Sequence, residues 1–106
     1  GITPPPAEPP AALVADLGEA AKQEAIKLVA RLRGAGLAAQ LPFGDRSLKA
    51  QLKSANRLRA RYAVILGEEE LARGEATLRN LASGEQSAVP LDEVETRLRR
   101  GIEAEA

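Results

Sequence analysis

The stretch Arg61-Tyr62-Ala63-Val64-Ile65-Leu66-Gly67 decides the fold. Tyr62 to Leu66 is apolar at every position, without the alternation of a strand that shows one side to water. Continuous apolar character of this kind marks a parallel strand covered on both faces. Gly67 ends the run, and residues 68–73 read as a short helical turn closed by Gly74.

Working outward, Asp45 or Ser47 is placed to cap a helix that continues to about Leu58, with Leu48, Leu52 and Ala55 on its apolar face. Further back, Ala21, Ala25, Leu28, Val29 and Leu32 share one face of a helix between Glu19 and Gly34. Gly34 and Gly36 supply its stop. Short apolar segments, 11–17 and 37–41, flank that helix, so strand, helix, strand occurs twice with each helix a crossover. Downstream the pattern becomes a hairpin: 75–81 partly alternates, Ala82-Ser83-Gly84-Glu85 is a turn, and 86–89 returns. Pro90 breaks the returning strand, Asp92 is a candidate cap, and Leu91, Val94, Leu98 and Ile102 line a last amphipathic helix. The order predicts an α/β fold with a mostly parallel sheet, an antiparallel element, and helices packed on it.

Composition agrees. The 106 residues carry 15 Lys+Arg, 15 Asp+Glu and 44% hydrophobic residues, which suits one small domain. With Phe43 and Tyr62 the only aromatics, the core is built from Leu, Val, Ile and Ala, an inventory that favours close helix-on-sheet layering. Neither Cys nor His is present, which excludes thiol nucleophiles, imidazole bases, Cys/His zinc sites and disulfides. No apolar run approaches the roughly 18 residues that cross a bilayer. Residues 1–10 are Pro-rich and favour extended polyproline II, so they read as a linker and residues 11–106 as the domain. Starting at Gly1 without a Met, the chain reads as a piece of a longer protein or its mature form.

The strongest chemical signal is basic. Arg46, Lys49, Lys53 and Arg57 share one face of the second helix, and Arg59 and Arg61 continue the charge. No acidic residue lies between Arg46 and Gly67. Such a strip is either a solvated face or a phosphate-contact surface beside the carboxyl ends of parallel strands, and spacing does not choose between them. Glu68-Glu69-Glu70 likewise has two readings. The carboxylates favour a helix N-terminus, or one of them accepts from a base edge. Catalytic readings lack parts: Ser47, Ser54, Ser83 and Ser87 have no triad context, and Gly34-Ala35-Gly36 falls short of a phosphate loop.

Three stretches together resemble the C-terminal anticodon-binding domain of histidyl-tRNA synthetases: Leu32-Arg33-Gly34-Ala35-Gly36, Gly44-Asp45-Arg46-Ser47-Leu48-Lys49-Ala50-Gln51-Leu52, and Ala60 through Leu71. Gly74-Glu75-Ala76-Thr77-Leu78-Arg79-Asn80-Leu81, Ser83-Gly84-Glu85-Gln86 and Val89-Pro90-Leu91-Asp92-Glu93 continue in register, so the resemblance spans 13–102. The start, Ala11 to Leu17, departs from the aromatic-bearing first strand usual in the family. The resemblance implies a three-layer α/β/α fold with a five-stranded mixed, mostly parallel sheet.

It also implies a cytoplasmic parent, a homodimeric histidine–tRNA ligase. Its N-terminal class II domain would bind ATP, magnesium and histidine. No motif of that domain occurs here, so this piece is expected to hold no cofactor and to aminoacylate nothing. The implied partners are histidine tRNA and the parent's catalytic domain, with no DNA and no membrane. Anticodon bases fall by resemblance to Asp45, Glu70 and Arg79, the last two on spacing shared with the threonine and proline enzymes. Phosphates fall to Arg46, Lys49, Lys53 and Arg57. A tRNA-sensing or docking domain of a regulatory protein is the alternative the resemblance leaves open.

Overall fold

The computed structural model describes residues 11–41 and 47–105. The expected linker 1–10 and the candidates Asp45 and Arg46 lie outside them. In chain order come β1 (Ala12–Asp16), α1 (Glu19–Gly34), β2 (Ala39–Gln40), α2 (Leu48–Arg57), β3 (Tyr62–Leu66), α3 (Glu68–Ala72), β4 (Glu75–Asn80), β5 (Gln86–Pro90), a 3-10 turn (Leu91–Glu93) and α4 (Val94–Glu105).

The expected mixed sheet is present, five strands in the order β2-β1-β3-β4-β5. β1 runs parallel to both β2 and β3, and its whole length pairs with β3, from Ala12 opposite Tyr62 to Asp16 opposite Leu66. β3–β4 and β4–β5 are antiparallel, so the sheet is half parallel rather than mostly so. The reason is the length of α3. A crossover to a parallel strand needs a dozen or more residues, whereas α3 has 5 and Gly74 turns the chain straight back.

Two further boundaries differ from expectation. Pro90 belongs to β5, because β5 is an edge strand and a missing N–H at its last position leaves little of the ladder unmade. Asp92 does not cap α4; it sits inside the 3-10 turn, whose start carries no side-chain cap.

Apolar side chains sort onto the two faces of the sheet. On one face, Leu28, Val29 and Leu32 of α1 and Val94 and Leu98 of α4 pack on Ala12, Val14, Tyr62, Val64, Leu66, Ala76, Leu78 and Val89. On the other, Ala55 of α2, with half-buried Leu48 and Leu52, packs on Leu13, Ala15 and Ile65. Each buried Leu or Val contributes about 1.5–3 kcal/mol. α4 is further tied to α1, since Arg99 Nη2 donates to the carbonyl of Ala35 at the end of α1. A guanidinium there complements the negative end of that helix. Arg31 Nη2 donates to Leu91 O at 2.7 Å, fixing the approach to α4.

The two faces are not equally covered. α1 and α4 span the sheet from β1 to β5, while α2 lies over β1 and β3 alone. Among the described residues no helix covers the α2-side surface of β4 and β5, where Gln86 and Ala88 are exposed.

Candidate nucleic-acid interface

Ser47 opens α2, its Oγ accepting from the Ala50 N–H at 3.2 Å. This is the capping role the sequence offered to Ser47 or Asp45. Gln51 and Ala55 are buried against the sheet and Leu48 and Leu52 are half-buried. At about 100° per residue, Lys49, Lys53 and Asn56 then fall on one flank, with Arg57 facing outward. A right-handed crossover from β2 to β3 turns that flank toward β4 and β5. Asn56 bears this out, for it lines an open cavity together with Leu81 and Ala82, just past the end of β4.

Lys49, Lys53 and Arg57 are exposed, and among the described residues no ion pair holds them. The strip does not simply sit beside the carboxyl ends of the parallel strands. α2 runs against β1 and β3, so Lys49 lies near their carboxyl ends and Arg57 near the opposite ends. The charge thus follows the whole length of the helix.

Below this flank lies the open part of the sheet. On β4, Ala76 and Leu78 point into the core, so Glu75, Thr77 and Arg79 point to the α2 side. Opposite them across the ladder stand Pro90, Ala88 and Gln86, the last two exposed. Arg79 is half-buried and its Nη1 donates to Gln86 Oε1 at 3.2 Å. Sequence reading missed Gln86, although the hairpin turn 82–85 was enough to place it opposite Arg79.

Glu70 is in the first turn of α3, just beyond the carboxyl end of β3, and half-buried. Its carboxylate folds over Gly67, where an added Cβ would sit 2.5 Å from Oε2. A side chain at position 67 would therefore push the Glu70 carboxylate, the end of a flexible side chain, out of this position. Glu70 is not paired with Arg73 or Arg79: Arg73 Nε meets Glu75 Oε1 at 3.1 Å, and Arg79 goes to Gln86. Glu70 and Arg79 therefore do not converge on one point. Arg79 pairs with Ala63 near the start of β3, and Glu70 follows its end, so they stand at opposite ends of that strand. Glu68 and Glu69 are exposed in the same turn, where negative charge suits the helix N-terminus.

Tyr62 is 6% exposed and packed in the core, which removes it from base stacking. Among the described residues, the groups left to meet a nucleic acid are ammonium, guanidinium, amide and carboxylate, and Phe43 lies outside those residues. Among the described residues, no group of three or more His, Cys, Asp or Glu gathers as a metal site. No helix among them is long and apolar enough to cross a membrane.

Residues 11–101 match the family described as Anticodon binding domain. The chain is similar to the histidine–tRNA ligase of Dehalococcoides mccartyi, 45% identical over 102 residues, covering 96% of this chain and 24% of that protein. It is 49% identical over 102 residues to the histidine–tRNA ligase of Pelotomaculum thermopropionicum, with the same 96% and 24% coverage. The fold superposes on the histidyl-tRNA synthetase of Nostoc sp. PCC 7120 with a TM-score of 0.83 at 29% identity, covering 90% of this chain and 23% of that one. The chain thus spans about a quarter of the length of these relatives, and they lend no support to the regulatory alternative. A match over nearly all of the folded residues, together with the basic helix beside an open sheet face, gives the conclusion that the chain belongs to the anticodon binding domain family, in the likeness of its histidyl-tRNA synthetase members.

Proposed function

We propose that this chain is the tRNA-reading part of a histidine–tRNA ligase, which holds the anticodon stem-loop of histidine tRNA between α2 and the open face of β4 and β5. The observation that carries the reading is the placement of Lys49, Lys53 and Asn56 on the α2 flank turned toward β4 and β5, whose α2 side carries Thr77 and Arg79. Cationic side chains need only direction to meet phosphates, and these share one direction. Lys49, Lys53 and Arg57 take the phosphates, and the resemblance assigns Arg46 the same role. Glu70 and Arg79 read bases at separated positions of the loop, and Asp45 contributes next to Arg46. ATP-dependent aminoacylation, with its magnesium and histidine, belongs to the remaining part of a cytoplasmic, homodimeric protein. The similarity to histidine–tRNA ligases of about four times this length supports that division.

The test is binding of synthetic anticodon stem-loop RNAs whose loops carry GUG or an unrelated triplet. The expected result is salt-sensitive binding with a preference for GUG. Equal binding of both loops removes the base-reading role, and no binding of either removes the RNA-contact role as well.

A further inference from the structure

The ends of the helices contain one substitution that packing does not ask for. α1 closes with Leu37 N–H donating to Leu32 O at 2.9 Å and Gly36 N–H to Arg33 O at 3.0 Å. α2 closes in the same way, with Ala60 N–H to Ala55 O at 3.0 Å and Arg59 N–H to Asn56 O at 3.1 Å. This closure needs a residue in the left-handed region, where a Cβ is disfavoured and glycine is the usual choice. Gly36 takes it with φ 88°, and Gly74, after α3, has φ 70°. At the end of α2 the position is held by Arg59, with φ 59°, the one non-glycine at positive φ among the described residues.

The Arg59 side chain is exposed and makes no ion pair among the described residues, so the left-handed residue is not tied into the core. Instead it lines an open cavity of about 260 Å³ with Asn56, Ala60, Arg61, Leu81 and Ala82. Among the described residues no carboxylate lines that cavity. The N–H groups of Ala82 and Ser83 are already taken by Asn80 Oδ1, at 2.9 and 3.1 Å, so an anion there is left to the side chains. Arg59, Arg61 and Asn56 supply guanidinium and amide donors, the set that suits a phosphate group.

We infer that this cavity is a phosphodiester-binding site, at which Arg59 and Arg61 hold the RNA backbone beyond the end of α2. The inference rests on the RNA-binding reading above and adds a site to it. From Lys49 to Arg59 the helix and its end advance about 15 Å at 1.5 Å per residue. That distance matches about four phosphates of one duplex strand at roughly 3.4 Å each along the axis. Lys49, Lys53 and Arg57 meet the earlier part of that run and the cavity receives its end. A glycine at position 59 would close α2 with less strain and leave the cavity without one of its cations.

The deciding variant is Arg59→Gly, compared with Arg59→Lys and with the double change Lys49→Ala and Lys53→Ala. Binding of an anticodon stem-loop RNA to the chain is measured across a series of salt concentrations, and each variant is melted. Arg59→Gly is expected to bind about threefold to tenfold more weakly, with a salt slope shallower by roughly one contact. Its melting temperature is expected to equal or exceed that of the unaltered chain, and Arg59→Lys to keep most of the affinity. Unchanged affinity and slope in Arg59→Gly overturn the site, as does a melting temperature clearly lowered, which would make Arg59 a structural residue. Inorganic phosphate is titrated in parallel. If it binds the unaltered chain and not Arg59→Gly while RNA binding is the same in both, the site takes a free anion and the RNA assignment is overturned. If the double lysine variant binds RNA as the unaltered chain does, the broader reading fails, separately from this site.

Discussion

Gln51 holds the backbone of Asp16 at both ends of its amide: Nε2 donates to Asp16 O at 2.8 Å, and Oε1 accepts from Asp16 N–H at 2.9 Å. Both residues are buried, at 0% and 2% exposure. The pairing explains how a two-residue β2 suffices. Among the described residues β2 meets β1 only at Ala12 and Leu13, so no described strand lies beside the β2-side N–H and C=O of Asp16. The Gln51 amide takes the place of the absent peptide and fixes α2 to the end of β1. The basic flank of the helix is aimed by the same contact.

Replacing Gln51 with Leu fills the space but leaves both backbone groups of Asp16 without that partner. At about 1–3 kcal/mol for each of the two buried groups, a loss of about 2–6 kcal/mol is expected in denaturant unfolding. A change under about 0.5 kcal/mol would show that water replaces the amide at no cost.

Removing Ser47 Oγ tests the other end of α2. Ser47→Ala is expected to lower stability by about 0.5–2 kcal/mol, the usual range for a lost N-cap. Hydrogen exchange should rise in the first turn of α2 alone.

Charge reversal on the α2 flank, Lys49→Glu with Lys53→Glu, is expected to weaken RNA binding and make its salt slope shallower by about two contacts. Stability should change little, because both side chains are exposed. The comparison of log affinity against log salt for the two proteins is the measurement. Parallel lines would take both lysines out of the contact surface.

Glu70 and Gly67 make a paired prediction. Glu70→Gln keeps the shape of the side chain and changes its acceptor character. Gly67→Ala keeps the charge but drives a methyl to within 2.5 Å of the carboxylate. If Glu70 reads a base, both variants lose discrimination among anticodon loops, by up to about 1–3 kcal/mol for a good bidentate contact. Loss of melting temperature without loss of discrimination would make the carboxylate a part of the turn only.

Arg79 and Gln86 separate in the same assay. Arg79→Ala is expected to reduce affinity and discrimination together, while Gln86→Ala leaves the charge and loosens its direction. The affinity of Gln86→Ala should fall less than its discrimination. Equal losses in both quantities would make Gln86 a direct contact instead of a support for Arg79.

Much of this architecture follows from the sequence because the forces that form it are local. Apolar spacing marks α1 and α4, the unbroken run Tyr62 to Leu66 marks a strand covered twice, and Ser47 caps the helix that follows it in the chain. The basic face of α2 is equally a matter of spacing along one helix. Tertiary structure decided what depends on partners far away in the chain. Gln51 reads as a surface polar residue until it meets Asp16, 35 positions away, across a gap left by a short strand. The half-antiparallel sheet comes from the brevity of α3, and the direction of the lysine flank from the hand of a crossover. Arg59 reads as one more solvated charge, and only the backbone angle at the end of α2 sets it apart. Periodicity fixes which side of an element is apolar, because that depends on neighbours a turn away; which polar group completes another's hydrogen bonds depends on register and packing, and those exist only once the layers have closed.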